Sequence, residues 1–594
     1  MVAWVDLDWA EVQAAREKQL DRQQNRPSQY WQFPYHLRYN MYRISLTLGQ
    51  RSSRPILLFR LDKSMKVVIS SPPGAGKTTR TGEWSSTSDQ ELLIRTLREA
   101  AGRAAKQQRT VLASFTQPVE WCDTIRAFSG ARRAGLGECF FWEQPAEQNT
   151  LVGVGAATTI ETDGITCFID SASAWRGLMN DAVVAYAPAT VPTAGSGPVL
   201  FGGFAFDPLP PRTSLWADFP GGLLILPRFL LSYSANHVTL TINRMVHASD
   251  NIEQSAQEIE AGVRHLQAAI EHTPMIPREE TINQFSIHEV RPASEWMEMV
   301  ANVVDMIQQG AFEKVVLARD MQVMLNDPTG AFDIDATLQR LRRSYPAAYV
   351  FAIQRGERFF VGATPERLVQ AQDGQIHTMA LAGSARRGET EEEDAQLGTE
   401  LLQSEKNNSE HAIVVARVRE ALKNHCTNVH ISATPQLLKL KNLQHLKTPM
   451  AGELIPGRCI LDVMADLHPT PAVGGFPRHA ALEAIRNTEK LDRGWYAGPV
   501  GWIGASGHGE FAVALRSGLI DGNKATLFAG CGIVSNSDPQ DEYAESCLKF
   551  QVMLRGLGGE PLDSQPANAA ARLPRESGGL PRSSQAGCKE RGSN

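Results

Sequence analysis

Beyond residue 106 the chain alternates between short apolar runs and amphipathic stretches, with a turn signal between most of them. Thr110–Phe115 and Leu151–Glu161 predict strands. Trp175–Ala187 predicts a helix, and Phe201–Asp207 and Leu223–Ser232 predict apolar strands. Val238–Asn243 alternates at period two, and Ser255–Thr273 reads as a helix. A polar, proline-containing linker covers 274–292. Ser294 then serves as the expected N-cap of a helix ending at Gly310, with Trp296, Val300, Val303 and Ile307 on its buried stripe. Lys314–Val323, Phe351–Ile353, Phe359–Gly362 and Thr378–Gly383 predict strands. Ser409–Leu422 and Pro477–Leu491 predict helices. Gly498–Gly504, Phe511–Leu519 and Ala525–Val534 form a late strand series, and Pro539–Leu554 a last helix.

This pattern gives four segments. Residues 1–105 are an atypical, partly disordered extension. Residues 106–290 and 291–558 are two halves of one catalytic domain, and 559–594, rich in Gly, Pro, Ser and Arg, are a disordered tail. The extension holds Pro72-Pro-Gly-Ala-Gly-Lys-Thr-Thr79 after an apolar run. Ser71 stands where a phosphate loop needs its first glycine, and Gly82–Ser88 is a poor helix start, so a surface loop is the expectation.

Composition narrows the class. A chain of 594 residues can bury at least one large core. A net charge of -6 and the lack of a basic stripe disfavour a nucleic-acid binder. No apolar run reaches 18 residues and no signal-peptide pattern opens the chain, so no membrane span is expected. Eight scattered cysteines without a Cys-x-x-Cys pair fit a reducing, cytoplasmic setting.

Candidate chemistry clusters in the last half. In the final helix Asp538 caps, Pro539 takes the first position, and Glu542 and Glu545 share a face, with Lys549 a turn further on. Two readings stand: a solvated acidic helix start, or a site for magnesium or an anionic substrate. Glu410 and His411 begin another helix, and His445 lies further on without zinc-ligand spacing. Arg516 interrupts the apolar run from Phe511. If buried it needs a partner, for which a substrate carboxylate is attractive. Lys314 heads an apolar strand and can act as a base only when neutral.

Several motifs in one order carry a resemblance: Phe312-Glu-Lys-Val-Val-Leu-Ala-Arg319, Gly362-Ala-Thr-Pro-Glu-Arg-Leu368, Leu381-Ala-Gly-Ser-Ala-Arg-Arg-Gly388, Glu410-His411 and Gln444-His-Leu-Lys-Thr448. Leu467-His-Pro-Thr-Pro-Ala-Val473, Arg493-Gly-Trp-Tyr-Ala-Gly-Pro-Val-Gly501, Glu510-Phe-Ala-Val-Ala-Leu-Arg516 and Gly530-Cys-Gly-Ile-Val534 continue it. This set resembles the chorismate-utilising enzymes, and among them the isochorismate synthases of the menaquinone-type branch. The resemblance is dense over about 290–555 and looser back to about 107.

The resemblance implies an α/β (α+β) fold: one large chorismate-utilising domain with two stacked antiparallel sheets flanked by helices. It implies that Glu410 and Glu545, with Glu542 close by, hold Mg²⁺, which meets a carboxylate of chorismate. Arg516, Tyr496, His411, His445, Thr448 and Ala472, the backbone at Gly530 and Gly532, and Lys549 would form the substrate pocket. Lys314 is then the base that activates water for C2, and Glu366 the acid that protonates the departing C4 hydroxyl. The likeness implies a monomer without a glutaminase subunit. Salicylate synthase and a siderophore-pathway isochorismate synthase are the alternatives, and a non-catalytic binding protein fits less well. Arg386 and Cys531 depart from the family pattern, and both are expected near the pocket.

Overall fold

The computed structural model describes residues 87–559, apart from 121, 210–212, 236, 275–282 and 441–442, together with three strands nearer the N-terminus. Those strands, Ser45–Gly49, Ile56–Leu61 and Met65–Ile69, make a small antiparallel sheet within a unit that ends at Arg80. The phosphate-loop-like residues 72–79 and the tail 560–594 lie outside the described residues.

The larger unit begins at Thr81 rather than near 106. Its first helix, Thr87–Gln107, crosses the expected boundary and buries Leu93, Leu97, Ala100 and Ala104. That three-to-four spacing is a helical stripe, obscured in the sequence by the intervening charged residues Arg95, Arg98, Glu99 and Arg103.

Two antiparallel sheets form the body, as the resemblance implied. The first contains the consecutive neighbours Val111–Pro118, His237–Val246, Gly222–Ser234, Asn149–Thr162, Cys139–Gln144, Tyr349–Arg355 and Arg358–Thr364. It continues through Ser517–Asp521, Lys524–Ile533, Lys314–Leu325 and Phe285–Glu289. Val183–Tyr186 adds a parallel edge beside Val111–Pro118. The long strands Asn149–Thr162 and Gly222–Ser234 shift register around Ala156 and Pro227, and their far halves pass into the second sheet. There they meet Val199–Phe204, Pro499–Gly504, Gly509–Val513, Arg367–Gln372, Gln375–Arg386 and Leu443–Leu454.

Side-chain alternation explains the stacking. On Tyr349–Arg355 the residues Tyr349, Phe351 and Ile353 join the core between the sheets, while Val350 and Ala352 join the core under the helices. Phe140 of the first sheet stacks on Phe201 of the second, ring centres 4.1 Å apart. The outer face is covered by Thr87–Gln107, Thr124–Arg133, Ile252–His272, Ile334–Ser344 and Pro539–Gly556, whose Leu97, Phe128, Val263, Leu341 and Phe550 are buried there.

Some local expectations change. The helix expected over Trp175–Ala187 spans Cys167–Asn180, and Val183–Tyr186 is a strand. The helix expected from Ser294 runs Ala293–Gln308 with Pro292 as N-cap, though its four predicted stripe residues are all buried. The run Phe511–Leu519 is broken into Gly509–Val513 and Ser517–Asp521. The break matters, because Arg516 sits in it at a φ of 51°.

Candidate active site

Four elements bring the chemistry together. Strand Lys314–Leu325 lies beside Lys524–Ile533, with Val316 opposite Gly532 and Ala318 opposite Gly530. Helix Glu405–His425 is capped by Ser404, which accepts from Asn407 N, and it carries Glu410 in its second turn. Helix Pro539–Gly556 is capped by Asp538, which accepts from Gln540 N and Asp541 N. The fourth element is the link between Arg358–Thr364 and Arg367–Gln372, which presents Glu366.

They surround a pocket that is partly open to solvent. Glu366, Glu410, His445, Ala472, Tyr496 and Arg516 line it, as do Gly530, Gly532, Glu542, Glu545 and Lys549. Glu542 and Glu545 therefore point into a pocket rather than off a solvated helix start.

Three expected residues stand behind the wall. Lys314 is fully buried, which excludes a surface lysine, and its Nζ lies 2.9 Å from Glu410 Oε1. His411 is bonded to Thr448 Oγ1 at 2.7 Å through Nε2 and to Ala382 O at 3.2 Å through Nδ1. Burial pushes His411 below its ordinary value, so its ring is neutral: Nδ1 donates to the carbonyl, and Nε2 accepts from the hydroxyl. His411 and Thr448 thus pin the Glu410 helix to two strands of the second sheet instead of forming the pocket surface.

Charge in the pocket is compensated pairwise. Glu410 meets Lys314, Glu542 meets Lys406 at 3.1 Å, and Glu545 meets Lys549 at 2.7 Å. Burial, and then the neighbouring Glu545 charge, push Glu542 up. Burial acts the same way on Glu545, but the charge and hydrogen bond of Lys549, together with other nearby charges including Lys406, hold that carboxyl down. Lys549 also donates to Gly530 O at 2.7 Å. Lys406 was not singled out from the sequence. Its position, one turn before Glu410 on the same helix face, was the available signal.

Across the pocket Arg516 is buried and, among the described residues, forms no ion pair. Its guanidinium lies 3.4 Å from His445 Nε2, and His445 Nδ1 lies 3.0 Å from Ser384 Oγ. Burial pushes His445 down to about 3, so a neutral ring can accept from the arginine without repelling it. Tyr496 stacks on Phe528 at 5.2 Å, and burial pushes its hydroxyl up to about 12. Arg493, a further wall residue, donates to Val473 O at 3.0 Å and Val316 O at 2.7 Å, tying the Ala472 segment to the Lys314 strand.

Glu366 is also buried, and burial pushes it up to about 7 against the charges of Arg516, Lys314 and Lys549. Its sequence neighbour Arg367 pairs with Glu510 instead of with it. Arg386, expected near the pocket, is exposed and paired with Glu393. Cys531 is buried behind the glutamates, its Sγ 3.2 Å from Glu542 O.

Gly532 makes the Lys314–Glu410 contact possible. A Cβ there would lie 2.7 Å from Glu410 Oε1 and 3.1 Å from Lys314 Cε. Gly532→Ala should lower turnover by up to about a hundredfold through misplacement of these two groups. Circular dichroism should stay unchanged; wild-type kcat would show that the close approach is unimportant.

Stacked antiparallel sheets surround paired carboxylates and a buried arginine that, among the described residues, forms no ion pair, an arrangement suited to a small carboxylated ligand. The chain belongs to the chorismate-binding enzymes: that family's profile, described as chorismate binding enzyme, matches residues 96–558. It is 36% identical over 478 residues to isochorismate synthase MenF of Bacillus subtilis, covering 80% of this chain and 99% of that relative. The salicylate biosynthesis isochorismate synthase of Pseudomonas aeruginosa is 37% identical over 475 residues, covering 79% and 95%. The solved structure of MenF, the menaquinone-specific isochorismate synthase from Escherichia coli, aligns with a TM-score of 0.62 at 25% identity, covering 78% of this chain and all of that one.

Proposed function

We propose that this chain converts chorismate to isochorismate, reversibly and with Mg²⁺, and that it serves menaquinone synthesis. The observation that carries the chemistry is Glu366: a buried carboxyl pushed up to about 7, in one pocket with Arg516 and with Lys314 just behind the wall. Water is a poor nucleophile and hydroxide a poor leaving group, so the exchange needs a base and an acid together. Arg516 and Tyr496 hold carboxylate and fix the ring. Lys314 takes a proton from water as oxygen bonds to C2. The ring double bonds shift, the C4–oxygen bond breaks, and Glu366 protonates the departing hydroxyl. The Lys314 amine rests 2.9 Å from Glu410 Oε1, so base work requires that contact to loosen.

The donor set fits Mg²⁺. Glu410, Glu542 and Glu545 offer hard oxygens to one pocket, and the mutual repulsion of Glu542 and Glu545 is what a cation relieves. Among the described residues no three acidic, histidine or cysteine side chains form a ready cage. That suits an ion that takes one or two carboxylates and keeps waters and substrate oxygens. Bound there, Mg²⁺ would neutralise the glutamates and attract a substrate carboxylate.

The MenF-named relative that is matched along 99% of its length supports the menaquinone branch, and supply of salicylate or a siderophore is the second reading. We place the reaction in the cytoplasm, where seven described cysteines outside any disulfide suit reducing conditions. No described helix is long and apolar enough to cross a membrane. Water as nucleophile calls for no glutaminase subunit, and we take the monomer as the active unit.

Purified protein incubated with chorismate and Mg²⁺ should yield isochorismate on chromatography, without salicylate or pyruvate. Prompt enzyme-dependent pyruvate release would replace this reading with a salicylate synthase. Isochorismate formed equally well in chelator would remove the metal from it.

A further inference from the structure

The link that presents Glu366 also carries Arg367, whose side chain leaves the pocket for the second sheet. Its Nε lies 2.9 Å from Glu510 Oε1 and 2.8 Å from Tyr349 Oη, and Tyr349 donates to the same carboxylate oxygen at 2.7 Å. Tyr349 and Glu510 are buried, and Arg367 is mostly so. Burial pushes Glu510 up, while Arg367 and Tyr349 pull it back. Two donors aimed at one oxygen are the arrangement of an anion. The other ionisable groups around Arg367 are Glu147, His377 and Lys447. Those that face Glu366 are Arg516, Lys314 and Lys549.

The two sites share a frame. Glu366 O accepts from Val513 N at 3.0 Å, and Thr364 Oγ1 donates to Val513 O at 2.6 Å. Val513 ends the strand that carries Glu510. A bare guanidinium one residue from an acid that must keep its proton would favour the carboxylate. Paired with Glu510 at 2.9 Å, the same guanidinium has its charge offset by a carboxylate.

We infer that Glu510 is a positioning residue for the acid step: with Tyr349 it binds and neutralises Arg367 on the far side of the strand, so that Arg367 adds no further positive charge to those that already face Glu366. This rests on the reading of Glu366 as the acid. It assigns work to the Glu510 motif beyond binding at Arg516, and it predicts shifts of opposite sign from two partners of one ion pair.

The test is the pH dependence of kcat/KM for chorismate in Glu510→Gln, Arg367→Gln and the double variant, with Glu366→Gln as reference. Glu510→Gln leaves a positive charge, which should move the basic limb about half a pH unit or more to lower pH. Arg367→Gln leaves a negative charge and should move it the other way. The double variant, with neither charge, should return it to the wild-type position. If Glu510→Gln does not fold, the upward shift and its return carry the test. A Glu366-dependent limb that ignores both partners, or moves the same way in both, overturns this inference alone. A limb that survives Glu366→Gln unchanged overturns the acid assignment and this inference together.

Discussion

Replacing Lys314 with alanine should cut turnover by roughly 10²–10⁴-fold, the usual share of a general base, while chorismate still binds. The split follows from position. Lys314 is absent from the pocket wall, and its amine reaches the pocket only past Glu410 and Gly532. Removing it takes the proton acceptor from the attacking water but leaves Arg516, Tyr496 and Lys549 in place. It also leaves Glu410 without its cation. The half-saturating Mg²⁺ concentration should therefore stay level or fall, since the metal no longer competes with the lysine Nζ for the same oxygen. Lys314→Met keeps more of the packing volume and should behave alike. The measurements are steady-state kcat with product chromatography, and chorismate binding by titration calorimetry. Near-normal kcat would remove Lys314 as base. A rise confined to KM would make it a binding residue.

The sequence made the late strands and helices legible because their burial patterns are regular. Trp296, Val300, Val303 and Ile307 mark one face at helical spacing, and all four are buried in the structure. Eleven of the residues singled out through their motifs, from Glu366 to Lys549, line one pocket. What escaped depends on contacts between distant segments. Nothing local distinguishes a lysine that meets Glu410 from one exposed at a strand edge, since the Lys314–Glu410 contact spans different elements. Arg367 adjoins Glu366, but adjacency along the chain does not say which carboxylate it meets. Strand alternation sends the arginine to the opposite side, where Glu510 takes it. The resemblance implies pocket places for the motif residues His411 and Thr448, yet they bond to each other. The Thr87–Gln107 helix was missed for a different reason: its apolar stripe is rich in alanine, a weak hydrophobic signal until the helix is packed.

Glu366→Gln should abolish nearly all turnover and yet make the folded protein more resistant to unfolding above pH 7. An acid group raised to about 7 in the fold and ordinary in the unfolded chain destabilises the fold when both are ionised. The sign is fixed by that direction. Below the unfolded value, near 4.5, both states are protonated and the group contributes its full relative stability. As pH rises toward 7 the unfolded chain ionises first, and this contribution is lost. Above about 7 the loss is complete, amounting to about 3 kcal/mol from 2.5 pH units at 1.36 kcal/mol each. Glutamine has no proton to lose. The unfolding temperature of Glu366→Gln should therefore exceed wild type at pH 8, and the gap should close toward pH 4.5. Turnover should fall roughly 10²–10⁴-fold with Mg²⁺ and chorismate binding retained, because glutamine cannot protonate the leaving hydroxyl. An unfolding difference independent of pH would mean that Glu366 is not held protonated by burial. Loss of chorismate binding, with any remaining turnover limited by KM, would assign it to substrate recognition instead of proton transfer. The same desolvation that makes this carboxyl useful as an acid thus makes the fold less stable whenever it is ionised, and the two effects should disappear together in one substitution.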